Sequence, residues 1–132
     1  MNSNNYDFRR EVYSDIVVEV VLAGRATSNE AEDFKNILSS DIDLGTRRLI
    51  VNLSACEYMD SAFTGAIVVS LRRISAVGGD LRLVGLQQGV RNMLELTRII
   101  HQFDVFPNIE AAIESYGGQG SSGLRNNRLT IR

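Results

Sequence analysis

In 132 residues the chain has one cysteine, Cys56, and one histidine, His101. A lone thiol can close no internal disulfide and build no cysteine-based zinc site, so histidine–cysteine metal chemistry is excluded. Long apolar runs are missing too. The two longest, Val17 to Ala23 and Ala62 to Val69, are broken by Glu19 and Thr64, and both fall short of the roughly 20 residues a membrane-spanning helix requires. The start, Met1-Asn2-Ser3-Asn4-Asn5, has neither the positive charge nor the apolar centre of a secretory signal, which predicts a cytoplasmic chain. A basic excess is also lacking. Without Arg125, Arg128 and Arg132, positions 1–116 hold 11 basic residues against 16 acidic ones, net −5, a body that should repel nucleic acid phosphates.

What remains is an ordinary composition, 44% hydrophobic and 23% charged. A chain of this length buries about two thirds of its unfolded surface as one domain, which excludes a two-domain enzyme. The folded part is expected over residues 1–116. Residues 117–132, beginning Gly117-Gly118-Gln119-Gly120 and ending rich in arginine, have too few apolar side chains to repay the entropy of ordering and read as a disordered tail. Such a tail is either an unselected terminus or an electrostatic anchoring arm.

Along the chain, Phe8, Arg10 and Val12 alternate with their neighbours as an edge strand does, and Ile16 to Leu22 forms a β-branched run turning at Gly24. These two segments should pair antiparallel. Thr27 and Glu30 fit a capping box before Ala31, Phe34, Ile37 and Leu38 at helical spacing, with an end at Ser39-Ser40-Asp41. Leu49 to Leu53, nearly all apolar, predicts a central parallel strand covered on both faces. Ser61 to Val77 reads as a second helix stopped by Gly78-Gly79, Leu81 to Val84 as a strand, Gln88 to Thr97 as a third helix, and Val105-Phe106 as a short last strand. Asn108 can cap a fourth helix carrying Ile109, Ala112 and Ile113. Strands alternating with helices specify an α/β fold with a mostly parallel sheet of four to five strands and about four helices.

In such sheets ligands and partners are met at the carboxyl ends of strands, where helices begin with unpaired N–H groups. Gly24-Arg25-Ala26-Thr27 has no glycine-rich fingerprint, and Gly85-Leu86-Gln87-Gln88-Gly89 lacks the lysine and hydroxyl of a phosphate loop. The junction from Cys56 to Gly65 is different. It sets a hydroxyl, Ser61, at a helix start beside Glu57, Asp60, Met59, Tyr58 and Phe63. Asp60 or Ser61 can serve there simply as a helix cap. Nucleophilic chemistry at Ser61 would need a base and an orienting group, and His101 lies in another region. Cys56 beside Glu57 and Asp60 suits a small buried hydrophobe better than a thiolate.

The stretch Arg48-Leu-Ile-Val-Asn-Leu-Ser-Ala-Cys-Glu-Tyr-Met-Asp-Ser61, then Gly78-Gly-Asp-Leu-Arg-Leu-Val-Gly85 and Val90-Arg-Asn-Met-Leu-Glu-Leu-Thr97, resembles STAS domains, the bacterial anti-sigma factor antagonists. Leu22-Ala-Gly24 upstream and Phe106 with Ile109-Glu-Ala-Ala-Ile113 downstream extend the likeness over roughly Ile16 to Ser115. The resemblance implies the STAS-like fold, no catalysis, no cofactor and no metal. It implies a switch in which a serine matched by Ser61 is phosphorylated by a serine kinase that doubles as the anti-sigma factor, of the histidine-kinase-like ATPase type. A serine phosphatase resets it. Asp60 matches the acid before the acceptor. The family pattern continues Ser-Gly where this chain has Ala62-Phe63, and Thr27 stands where an acid is frequent. Met59, Asp60, Ser61, Ala62, Phe63 and Thr64 are the expected partner-binding residues, although Phe63 at helical spacing with Ile67 fits the core equally well. A constitutive subunit of a transporter or scaffold complex, with Ser61 as a mere cap, is the alternative.

Overall fold

The computed structural model describes residues 6–117. Strand β1 (Phe8–Tyr13) turns at Ser14 and Asp15 and pairs antiparallel with β2 (Ile16–Val21), Phe8 opposite Val21. Strands β4 (Arg48–Asn52), β6 (Asp80–Val84) and β7 (Asp104–Phe106) then add in parallel, giving the order β1-β2-β4-β6-β7. The mixed, mostly parallel sheet and the four α-helices among the described residues are those expected. Strand β4 is central because Leu49, Ile50 and Val51 are fully buried, with side chains going to both faces.

Alternation assigns each residue to a layer. Val17, Val21, Leu49, Val51, Leu81 and Leu83 share a core with helices α1 (Ser28–Asp43) and α2 (Ser61–Ala76). Ile16, Val18, Val20, Ile50 and Val84 pack on the other face against Ala112 and Tyr116 of α4 (Ile109–Gly117). Asn108 Oδ1 accepts from the Ala111 N–H at 2.8 Å, the expected cap. Helix α3 (Gln88–Leu96) packs near the sheet's carboxyl end. Phe8, Phe34 and Phe63 stack in succession, centroids 4.9 and 5.0 Å apart, and tie β1, α1 and α2 together. Each such pair adds about 0.5–1.5 kcal/mol beyond burial.

Three departures from the sequence reading have physical causes. Helix α1 runs past Ser39-Ser40-Asp41 to Asp43, because Leu38, Asp41 and Ile42 are all drawn into the buried stripe and only Gly45, at φ 105°, turns the chain. Two short strands were not foreseen: β3 (Arg25–Ala26) and β5 (Tyr58–Met59) form a separate parallel pair just beyond the ends of β2 and β4. Gly117 closes α4 and is buried, so it does not open a tail; the rest of the segment read as disordered, 118–132, lies outside the described residues.

Gly85-Leu86-Gln87-Gln88-Gly89 has a packing role. Gly85 adopts φ 72°, and a Cβ at Gly89 would sit 2.4 Å from the Glu57 carbonyl oxygen. Glycine is what lets α3 dock on the β5 loop. Gly89→Ala should therefore destabilise the protein by about 1–3 kcal/mol in urea denaturation, since the clash outweighs alanine's helix-propensity advantage of at most about 1 kcal/mol. An equal or raised midpoint would refute this.

Glu19 and Asp41 are buried carboxyls between β2 and α1, 2% and 3% exposed. Arg10 Nε, from the edge strand, lies 3.6 Å from Glu19 Oε2 and 3.3 Å from Asp41 Oδ1. Desolvation, and then the adjacent Asp41 carboxyl, hold the Glu19 pKa far above the carboxylate range, and Arg10 offsets this only in part. The folded state thus keeps a proton that the unfolded chain loses above about pH 4.3, so this group's contribution fades as pH rises toward its native pKa. Glu19→Gln should gain stability relative to the wild type between about pH 5 and 8, by at most about 1.4 kcal/mol per pH unit. Parallel stability profiles from thermal melts would contradict it.

Candidate functional site

The first helical turns of α1 and α2 meet at one side chain. Asp60 is the N-cap of α2, and its Oδ1 accepts from the Phe63 N–H at 3.0 Å. Its Oδ2 accepts from the Ser28 N–H at 2.9 Å, at the first residue of α1. The capping box predicted for Thr27 and Glu30 completes that helix start: Glu30 Oε1 accepts from the Thr27 N–H at 2.7 Å, and Thr27 Oγ1 from the Asn29 N–H at 3.3 Å. A single carboxylate thus fixes two helix N-termini, each carrying partial positive charge, against one another.

The β3–β5 pair explains why Asp60 arrives there. Arg25 lies opposite Tyr58 and Ala26 opposite Met59, and the Asp60 N–H donates to the Ala26 carbonyl at 3.1 Å. Ser61 follows as the first residue of α2 with its side chain exposed, and Ala62 is exposed beside it. Asp60 is half-buried. These three of the expected partner residues form one surface.

The other three do not join it. Met59 and Phe63 are fully buried and Thr64 is 2% exposed. Phe63 is stacked on Phe34 at the α2 end of the aromatic stack, and Thr64 Oγ1 donates to the Asp60 carbonyl at 2.8 Å. The residue i+2 from an exposed helix start turns inward, so Phe63 supports the serine from below and cannot touch a partner while the fold is intact. Met59 and Phe63 are accordingly corrected from contact residues to core, and Thr64 to a backbone brace.

Arg25 was not singled out by sequence reasoning, yet its guanidinium lies over the Tyr58 ring, 4.4 Å from the centroid, at the exposed rim. Ser28, three residues further on and the first of α1, is exposed as well. The pairing of β3 with β5 brings Arg25 to Tyr58 and Ser28 to Asp60, each more than thirty residues apart in the chain, and no local spacing signals it.

The chemistry available is that of an exposed alcohol beside a committed carboxylate. Both Asp60 oxygens are engaged by backbone donors, so Asp60 is poorly placed to deprotonate its neighbour. Glu57 is exposed, and His101 is exposed on a separate 3₁₀ turn, Ile100–Gln102. Cys56 is buried, its Sγ directed to the Tyr58 carbonyl at 3.3 Å, and burial pushes the thiol's pKa up, away from a reactive thiolate. Among the described residues no cluster of three or more His, Cys, Asp or Glu could hold a metal ion, and no helix is long and apolar enough to cross a membrane.

Known proteins share this architecture. The STAS domain family model matches residues 8–112. The candidate anti-sigma factor antagonist BtrV of Bordetella bronchiseptica is 28% identical over 95 residues, 72% of this chain and 82% of that protein. The crystal structure of a candidate anti-sigma factor antagonist from Thermotoga maritima, TM1081, superposes with a TM-score of 0.74 at 26% identity, covering 82% of this chain and 92% of that one. The Bacillus cell fate determinant SpoIIAA in its phosphorylated form, at 22% identity and a TM-score of 0.67 over 83% of this chain and 98% of its own, shares the fold. With the family model spanning the sheet, the starts of α1 to α4 and the Asp60–Ser61 junction, the chain belongs to the STAS domain family.

Proposed function

We propose that this protein is a phosphorylation-gated binding switch of the anti-sigma factor antagonist type, with Ser61 as the acceptor and no catalysis of its own. The observation that carries the reading is the exposed Ser61 side chain, presented on the first turn of a helix whose cap is locked to a second helix. The names of the similar proteins from Bordetella and Thermotoga support the class of activity. The unmodified face of Asp60, Ser61 and Ala62 binds a serine kinase that is also the anti-sigma factor, of the histidine-kinase-like ATPase type, in the cytoplasm. Phosphorylation releases it, and a serine phosphatase restores the binding form.

The energetics favour an effect on docking over one on folding. A phosphate brings about −1.5 to −2 charge to a helix start that favours an anion by about 0.3–2 kcal/mol, and Asp60 partly cancels that gain. The scaffold is hardly affected. At a closed interface the same charge, left desolvated or facing acid, costs several kcal/mol, which is a hundredfold or more in affinity.

Incubated with its cognate kinase and ATP, the wild type should gain one phosphate by intact mass and Ser61→Ala none; a phosphorylated Ser61→Ala would overturn the assignment. In calorimetric titration against the kinase, Ser61→Asp should bind at least about a hundredfold more weakly than Ser61→Ala, with melting temperatures unchanged. Equal affinities for wild type, Ser61→Ala and Ser61→Asp would instead mark a constitutive subunit. Asp60→Ala removes both caps and should cost about 2 kcal/mol of stability in denaturant titration, against about 1 kcal/mol for an ordinary single cap.

A further inference from the structure

A second site lies at the opposite end of α1. Thirteen residues separate Ser28 from Asp41 along that helix, about 20 Å at 1.5 Å per residue. There Phe8, Arg9 and Arg10 of β1, Glu19 of β2, and Ile37, Ser40, Asp41 and Leu44 enclose an open cavity of about 400 Å³, within the size range of small-molecule pockets. Glu19 Oε2 and Asp41 Oδ2 are buried within residues that line this cavity, and neither makes a hydrogen bond, the Arg10 Nε reaching Glu19 Oε2 only at ion-pair distance, 3.6 Å. Orphaned buried carboxyl oxygens in a native fold call for a ligand or a shared proton.

We propose that this cavity binds a small primary alkylammonium ion, whose N–H groups donate to the free oxygens of Glu19 and Asp41 and whose alkyl chain lies on Phe8, Ile37 and Leu44. Three features select that chemistry. The anionic groups are both buried and both short of donors, and an ammonium brings three. The walls are otherwise largely apolar, which suits a methylene chain. A hard divalent cation would want six or more oxygen ligands, and the cavity offers two carboxylates and the Ser40 hydroxyl beside the positive Arg10.

Arg10 is the resident competitor. Its side chain is half-exposed, on an edge strand, and hydrogen-bonds Asp41 through Nε at 3.3 Å. An incoming ammonium takes its place while the guanidinium turns outward into water. The charged group facing the pair is Arg10, since the Arg9 guanidinium is held by Glu11; the proton kept on Glu19 leaves to buffer as the ammonium enters. The ammonium thus takes over the charge of the released proton, and the charge of the Arg10 guanidinium moves from the pair to the solvent-facing rim.

The test is a titration of the full chain with n-butylammonium chloride at neutral pH, read by amide chemical shifts, with sodium chloride and n-butanol as matched controls. The expected result is saturable shifts confined to residues 8–10, 19 and 37–44. Arg10→Gln should tighten binding by about tenfold, a gain that misfolding cannot mimic. Glu19→Gln, isosteric with the protonated acid, should abolish it, and calorimetry in buffers of differing ionisation enthalpy should show proton release. Equal shifts from n-butanol, unchanged or weaker binding by Arg10→Gln, or the same shifts produced by magnesium or calcium chloride would each overturn the proposal. Because the readout is away from Ser61 and needs no kinase, its failure leaves the phosphorylation switch standing, and the converse holds.

Discussion

One carboxylate, that of Asp60, accepts from the Ser28 N–H at the start of α1 and from the Phe63 N–H at the start of α2. Every helix begins with N–H groups that the helix itself cannot satisfy, and most folds meet that demand separately at each end. Here two demands share one answer. The consequence is geometric as well as energetic: the two first turns cannot shift relative to one another without breaking a charged hydrogen bond, so the surface built on them is fixed before any partner arrives.

That constraint leans on layers beneath it. The short β3–β5 pair brings Ala26 and Asp60 within backbone hydrogen-bonding distance, and the stacked Phe8, Phe34 and Phe63 fill the space below the junction. Gly89 allows α3 to close on the Glu57 carbonyl from the other side. The exposed serine therefore stands on a buried, aromatic-filled base. A rigid base is what the proposed switch at Ser61 requires, because a phosphate there would change what can dock and leave the fold alone.

The same helix, α1, carries the opposite situation at its far end. Around Asp60 every carboxylate oxygen has a donor, whereas Glu19 and Asp41 retain oxygens without one. Burying two acids side by side is costly enough that one keeps its proton. The contrast separates a capping carboxylate, which is structural, from a carboxyl pair that is open to exchange of its proton for another cation.

The sequence alone determined the alternation of strands and helices, because the periodicities of two and 3.6 were strong in Ile16 to Leu22, Leu49 to Leu53 and Ser61 to Val77, and because Thr27, Asn108 and Gly78 carry local capping chemistry that acts within a few residues. It also singled out Ser61, since a hydroxyl at a strand-to-helix junction is visible in one dimension. Tertiary structure decided the rest. Whether Met59 and Phe63 face a partner or the core depends on how α2 rolls onto the sheet, and helical spacing fits either answer. The partnership of Asp60 with Ser28, the approach of Arg25 to Tyr58, and the meeting of Glu19 with Asp41 and Arg10 each join residues distant in the chain. Such contacts are set by strand register and helix docking, which maximise the buried apolar area of the whole domain and leave no mark on any single stretch of sequence.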